Sequence, residues 1–129
     1  MLVNGILNPA INSLLSRVRH TNTIVIADRG FPFWPQIETV DIALVDDIPT
    51  VLQVLAAVRA NFGVGQAYMA EEFRGHNTPA VQQQYVDALT GVDVAYEPHV
   101  QFKTRVPNAI GLIRTGDTTQ YGNIILVSA

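Results

Sequence analysis

His20-Thr21-Asn22-Thr23-Ile24-Val25-Ile26-Ala27-Asp28-Arg29-Gly30-Phe31-Pro32 is the stretch on which the fold turns. Ile24-Val25-Ile26-Ala27 has no polar alternation, the pattern of a strand covered on both faces, as in a parallel sheet. On its N-terminal side, Asn8-Pro9 reads as the N-cap and first turn of a helix with the apolar face Ile11, Leu14, Leu15 and Val18, ending near His20. On its C-terminal side, residues 41–45 read as a second strand. Asp46 and Asp47 suit the start of a helix, where its positive end favours anions, and Val51, Leu52, Leu55, Val58 and Phe62 form its stripe up to Gly63. Residues 66–70 read as a third strand, and Thr78-Pro79 caps a helix carrying Val81, Tyr85, Ala88 and Leu89. Residues 92–96 are strand-like, Pro98 opens a short helix that Pro107 must end, and residues 109–113 and 124–127 are the last two strands. Strands alternating with helices predict the α/β class: one compact domain over residues 1–129, with a mostly parallel sheet flanked by helices. The pattern does not contain the strand order.

Composition narrows the function classes. With 129 residues, 48% hydrophobic and only 15% charged, the chain can bury a real core yet has few charges to solvate its surface. Part of that surface is therefore expected to be covered by other subunits. A net charge of −3 and no Lys/Arg cluster argue against nucleic acid as a partner. No apolar run is long enough to span a membrane, and Met1 to Asn8 lacks the pattern of a signal peptide. The absence of cysteine excludes disulfides and thiolate metal sites and fits a cytoplasmic protein.

Few side chains look like chemistry. Asp28 follows a strand, and ligands of open α/β sheets bind beyond the carboxyl ends of strands; the plain alternative is an Asp that caps a turn. His20 follows a helix whose end favours imidazolium, an effect that Arg17 and Arg19 oppose. His99 and Lys103 are spaced i, i+4 and share one helical face, where they are either hydroxyl-binding donors or solvated polar residues. Tyr121 and Asn123, two apart, face one side of an extended segment, and Gly122 between them permits close approach of backbone and ligand. Phe31, Phe33 and Trp34 read as core or interface filler sooner than as a platform for a sugar ring. Gly63-Val64-Gly65 is no dinucleotide loop, and His20, His76 and His99 lack metal-ligand spacing.

In order along the chain, Gly5-Ile6-Leu7-Asn8, the stretch from His20 to Pro32, Ala70-Glu71-Glu72, His99 with Phe102-Lys103, and Ile113-Arg114-Thr115-Gly116 leading to Tyr121-Gly122-Asn123-Ile124-Ile125-Leu126 resemble the ribose pyranase and fucose mutarotase family. The resemblance implies a small isomerase that interconverts ring forms of a free aldose without a cofactor, D-ribose being the first choice of sugar. It makes His20 the catalytic proton donor and Asp28, His99, Lys103, Tyr121 and Asn123 the substrate-binding residues, with no metal. It also implies a ring-like homo-oligomer, a decamer, with sites at subunit interfaces. Gly122 is closer to the fucose-type members, whereas His20-Thr21-Asn22 is closer to the ribose-type. Arg29 departs from the small residue common there and adds a cation beside Asp28. An L-fucose-type mutarotase and a non-catalytic sugar-binding or regulatory subunit remain open as alternatives.

Geometry adds one constraint. Eight residue steps separate His20 from Asp28, up to about 27 Å of extended chain. Either the chain folds back at Thr21-Asn22, or one site combines Asp28 with Tyr121 or His20 from another subunit.

Overall fold

The computed structural model describes residues 1–129, and its centre is the strand read first. β1 (Thr23–Ala27) buries Ile24, Val25, Ile26 and Ala27 completely. Ile24 and Ile26 enter the larger core, with Ile11, Leu14 and Val18 from around α1 (Pro9–Ser16) and Val54, Leu55 and Val58 from α2 (Val51–Arg59). Val25 and Ala27 enter a second core on the opposite sheet face, under Phe102 of α5 (His99–Arg105) and Val106 of the 3-10 turn Val106–Asn108. An uninterrupted apolar run is what a strand between two cores requires.

Around β1 stand β2 (Glu38–Asp41), β3 (Val64–Ala70), β4 (Asp93–Glu97), β5 (Gly111–Arg114) and β6 (Ile124–Ser128), in the order β2-β5-β1-β6-β3-β4. Parallel pairs join β2 to β5, β5 to β1 and β3 to β4, whereas β6 runs antiparallel to both β1 and β3. Five strands thus point one way and one points back. The short α3 (Glu72–His76) and α4 (Pro79–Ala88) follow β3 and add Phe73 and Tyr85 to the larger core.

The structure moves three of the expected boundaries. The second strand spans Glu38–Asp41, not 41–45, because an edge strand needs only one buried residue, here Val40. The more apolar run after it leaves Leu44 and Val45 largely exposed. α1 stops at Ser16 with Arg17 as C-cap, so His20 lies beyond the reach of that helix's dipole, which fades within a turn. The start of α2 is set by Thr50 and Gln53 in a reciprocal capping box, not by Asp46 and Asp47.

A different carboxylate does serve α2. Asp117, 3% exposed, accepts the Val51 N–H at 2.8 Å and the Thr119 N–H at 2.7 Å, while its own carbonyl accepts the Arg29 N–H at 3.0 Å. It has no basic partner and depends on aligned N–H groups and the positive end of the helix. Asp117→Ala should lower unfolding free energy by about 3 kcal/mol, the order expected when one buried and one partly buried N–H donor lose a charged acceptor, as read from chemical denaturation.

Candidate functional site

β6 is the only strand of the sheet running backwards, so its first residues meet the carboxyl ends of its neighbours. The pairing Ile26↔Ile124 sets Asn123 beside Asp28, 95 residues earlier. The Asp28 N–H donates to Asn123 Oδ1 at 2.7 Å, and Asn123 Nδ2 donates to Asp28 Oδ2 at 3.1 Å. The other carboxylate oxygen accepts the Gly30 N–H at 2.9 Å. Asp28 does cap its own turn, as the plain reading held, but its second oxygen belongs to the Asn123 pair.

Around this pair opens a cleft of about 340 Å³ lined by Asp28, Gly30, Phe31, Pro32, His99, Gln120, Tyr121 and Asn123. His99 starts α5, and its backbone N–H is accepted by both carboxylate oxygens of Glu72, at 3.0 and 3.1 Å. Pro98 has no side chain able to cap α5, so Glu72 of α3 caps it from outside. Glu72, which carries no deducible chemistry as sequence, thereby acquires a role in holding His99, while Glu71 pairs with Arg74 at 2.7 Å. The His99 ring meets Tyr121 edge-on at 5.0 Å and lies 6.1 Å from Phe31, and its Nε2 is buried without a protein partner.

Burial shifts the two titrating groups toward each other. Desolvation raises Asp28, opposed by the Gly30 N–H, the Asn123 amide, the Phe31 N–H and the Arg114 charge. Desolvation also lowers His99, helped by the Lys103 cation one turn on and opposed by Glu72 and Asp28. A raised carboxyl and a lowered imidazole lining one cleft have closer proton affinities than usual, which suits proton transfer to and from a bound ligand.

Several residues that position the cleft were not singled out by their sequence patterns. Arg114, at the end of β5, donates to the carbonyls of Asp28, Arg29 and Pro32 at 3.1, 3.4 and 3.2 Å and so fixes the loop under the site. Thr115 donates its hydroxyl to the Ala27 carbonyl at 2.8 Å. Gln120 lines the cleft, and its carbonyl accepts from Asn77 at 2.8 Å. Phe31 is core filler as expected, 5% exposed between Trp34 and Phe102, and is also a cleft wall. Phe33 projects into solvent.

Other expectations meet a different geometry. Tyr121 does not lie in an extended segment: its φ is +56° within a turn, and β6 begins only at Ile124. It shares the cleft with Asp28 of the same chain, so it need not come from another subunit. Arg29 pairs with Asp46 at 2.7 Å, both exposed, and does not line the cleft. Lys103 is close enough to depress His99 but is not among the lining residues. His20 is exposed at the far end of β1: Thr21 N–H bonds the carbonyl of Ser128 at the end of β6, whereas Asn123, at its start, bonds Asp28. The whole length of β6 separates them. The chain does turn at Thr21, where φ is +68°, but the turn leads from α1 into β1 and not back to Asp28.

A histidine depressed by burial and a neighbouring cation stabilises the fold only where it is neutral. That contribution is complete above the ordinary value of 6.5 and is lost as the pH falls from there through the lower folded value. Histidine NMR should find His99 titrating below 6.5, and Lys103→Gln should move it part of the way back, leaving the depression due to burial. An ordinary His99 titration that ignores Lys103→Gln would show that neither burial nor Lys103 governs the ring.

The whole chain, residues 1–129, matches the family described as the RbsD / FucU transport protein family. Curated relatives named D-ribose pyranase include one from Laribacter hongkongensis, 38% identical over 99% of this chain and 97% of its own length, and one from Geobacillus kaustophilus, 41% identical over 99% and 93%. The solved structure of Bacillus subtilis RbsD complexed with D-ribose superposes with a TM-score of 0.93 at 29% identity, covering 100% of this chain and 98% of that one. A fucose mutarotase from Streptococcus pneumoniae in complex with L-fucose shares the fold, with a TM-score of 0.80 at 20% identity over 95% and 93% of the two chains. The chain belongs to the RbsD / FucU family.

Proposed function

We propose that this chain is a sugar isomerase that exchanges the ring forms of a free aldose, D-ribose before others, with no cofactor. Support comes first from the cleft, where Asp28, His99, Tyr121 and Asn123 are gathered from separate segments around one open space of the size small-ligand sites have. Family membership and the superposition on a D-ribose complex add the substrate class.

Ring opening needs one proton delivered to the ring oxygen and one removed from the anomeric hydroxyl. The bond between C1 and the ring oxygen breaks as the C1 carbonyl forms. Reclosure on either face, or through another hydroxyl, gives the other anomer or the furanose. The sum is proton-neutral and redox-neutral, and positioned acids and bases typically contribute about 10²–10⁴-fold to such a step. Asp28, raised by desolvation yet held by three hydrogen bonds, is an acceptor for a sugar hydroxyl. Asn123 and Tyr121 supply donor and acceptor groups, His99 completes the set within the cleft, and Lys103, outside its lining, acts through its charge on His99.

His20 is the proposed proton donor, and since its own chain's cleft is a strand-length away, the His20 that serves a cleft belongs to a neighbouring subunit. A closed homo-oligomer, in the proposal a decamer, brings the two ends together. Exposed Leu44, Val45, Ile48 and Phe33 leave apolar surface for such contacts.

Saturation-transfer NMR on ribose, fucose and galactose tests the activity directly: enzyme should speed exchange between ring forms, and EDTA should leave the rate unchanged. Saturable binding without faster exchange would favour a sugar-binding subunit. His20→Ala should slow exchange by about 10²-fold or more. Mixed His20→Ala and Asp28→Ala subunits, once shown to exchange, should recover part of the activity; verified hybrids with none would put both residues of a site on one chain.

A further inference from the structure

The segment Tyr121-Gly122-Asn123 rests on a side chain that the mechanism above does not use. Tyr85 of α4 is 1% exposed, and its ring packs against Phe73 with centroids 4.6 Å apart. Its hydroxyl faces Thr119 but makes no hydrogen bond of standard geometry, an arrangement that costs a fold stability and calls for a compensating use. A Cβ added to Gly122 would lie 2.5 Å from that oxygen and 3.2 Å from the Thr119 carbonyl oxygen. The phenol is the end of a rigid, fully packed ring, so it cannot swing aside as a flexible chain would.

The residues on either side of Gly122 are the ones that line the cleft. Tyr121 holds φ at +56°, in a turn closed by the Gly122 N–H on the Thr119 carbonyl at 3.2 Å, a position at which glycine or asparagine is usual. Strained backbone of this kind persists where its surroundings fix it. Asn123 is held to Asp28 by two hydrogen bonds, accepting from its backbone N–H and donating to its carboxylate. The Tyr85 hydroxyl therefore meets the backbone exactly between the phenol and the amide that face the ligand.

We propose that Tyr85 is a positioning residue of this site: its hydroxyl, seated beneath Gly122, sets the level of Tyr121 and Asn123 in the cleft and thereby the discrimination among sugars. The inference rests on the reading of the cleft as a sugar site. Tyr85 touches no substrate and acts through Gly122, so positions 85 and 122 are coupled. A tyrosine hydroxyl at one excludes a methyl group at the other.

Exchange kinetics on the ribose, fucose and galactose panel, combined with thermal unfolding, test the coupling. Tyr85→Phe should leave the unfolding midpoint unchanged or higher, since an unpaired hydroxyl is removed, yet raise KM for the preferred sugar by about threefold or more, with a smaller change in kcat. Gly122→Ala should cut kcat/KM by about tenfold or more, and adding Tyr85→Phe to it should restore part of the loss. Tyr85→Phe with unchanged KM for every sugar, or a double variant no better than Gly122→Ala, would overturn the role of Tyr85. The side-chain amide signal of Asn123, followed by NMR without ligand, separates the two levels of inference. If it moves in Tyr85→Phe while the wild-type protein exchanges no sugar, positioning stands and the reading of the reaction falls. If it stays fixed, the positioning falls.

Discussion

Asp28 and Asn123 hold each other by two hydrogen bonds, backbone to side chain and side chain to side chain, across 95 residues. This contact exists because β6 enters the sheet against the direction of β1 and β3. Were β6 parallel, its carboxyl end would meet Asp28, and Asn123 would stand a strand-length away at the opposite edge. Reversal of one strand thus brings the start of the last element to the edge where β1, β3, β4 and β5 end. His99 comes there from the β4 side, and Arg114 secures the intervening loop from β5. An open parallel sheet gathers ligand-binding residues at its carboxyl edge; here the antiparallel strand adds its own amino end to that edge.

The same arrangement works against stability at Asp28. A carboxyl raised by desolvation binds its proton more tightly in the folded chain than in the unfolded one. Stability therefore declines as the pH rises from the ordinary value of 3.8 through the folded value, so ionising Asp28 costs the fold stability. His99 has the opposite pH dependence from the same cause: burial favours its neutral form, so its share of stability disappears in acid. Both groups are drawn toward neutrality by one desolvated wall. Asp117 shows the contrasting case of a structural carboxylate, almost wholly buried but accepting N–H groups from α2 and from its own turn.

How legible each part was in the sequence follows from where its information resides. β1 was readable because four consecutive apolar residues between two cores leave a local signature. α4, capped by Thr78-Pro79, was readable for the same reason of locality. β2 was misplaced because an edge strand needs little apolar content, while the richer run after it serves an exposed turn. The direction of β6 was illegible, since Ile124-Ile125-Leu126 reads alike in either sense. The site was legible mainly through family resemblance: spacing alone left Asp28, His99 and Tyr121 balanced between chemistry and ordinary roles. Arg114, Glu72 and Tyr85 escaped a bottom-up reading because each acts through contacts with segments distant in sequence.

A site confined to one chain would have an acid-base set of Asp28 and His99, both displaced toward neutral forms and both on the same wall. Opening a sugar ring asks for a donor and an acceptor at two different oxygens of the substrate. A second source of protons is best supplied from the open side of the cleft, where the chain itself offers only solvent. His20 lies on an exposed turn at the other end of the molecule, which is the observation behind its proposed service to a neighbouring copy. In the proposed arrangement each subunit would give a proton donor from one end and a binding cleft from the other. Under that proposal, closure of a symmetric ring would be a condition of activity as well as a way to cover apolar surface, and a dissociated subunit would keep its cleft but lack the acid.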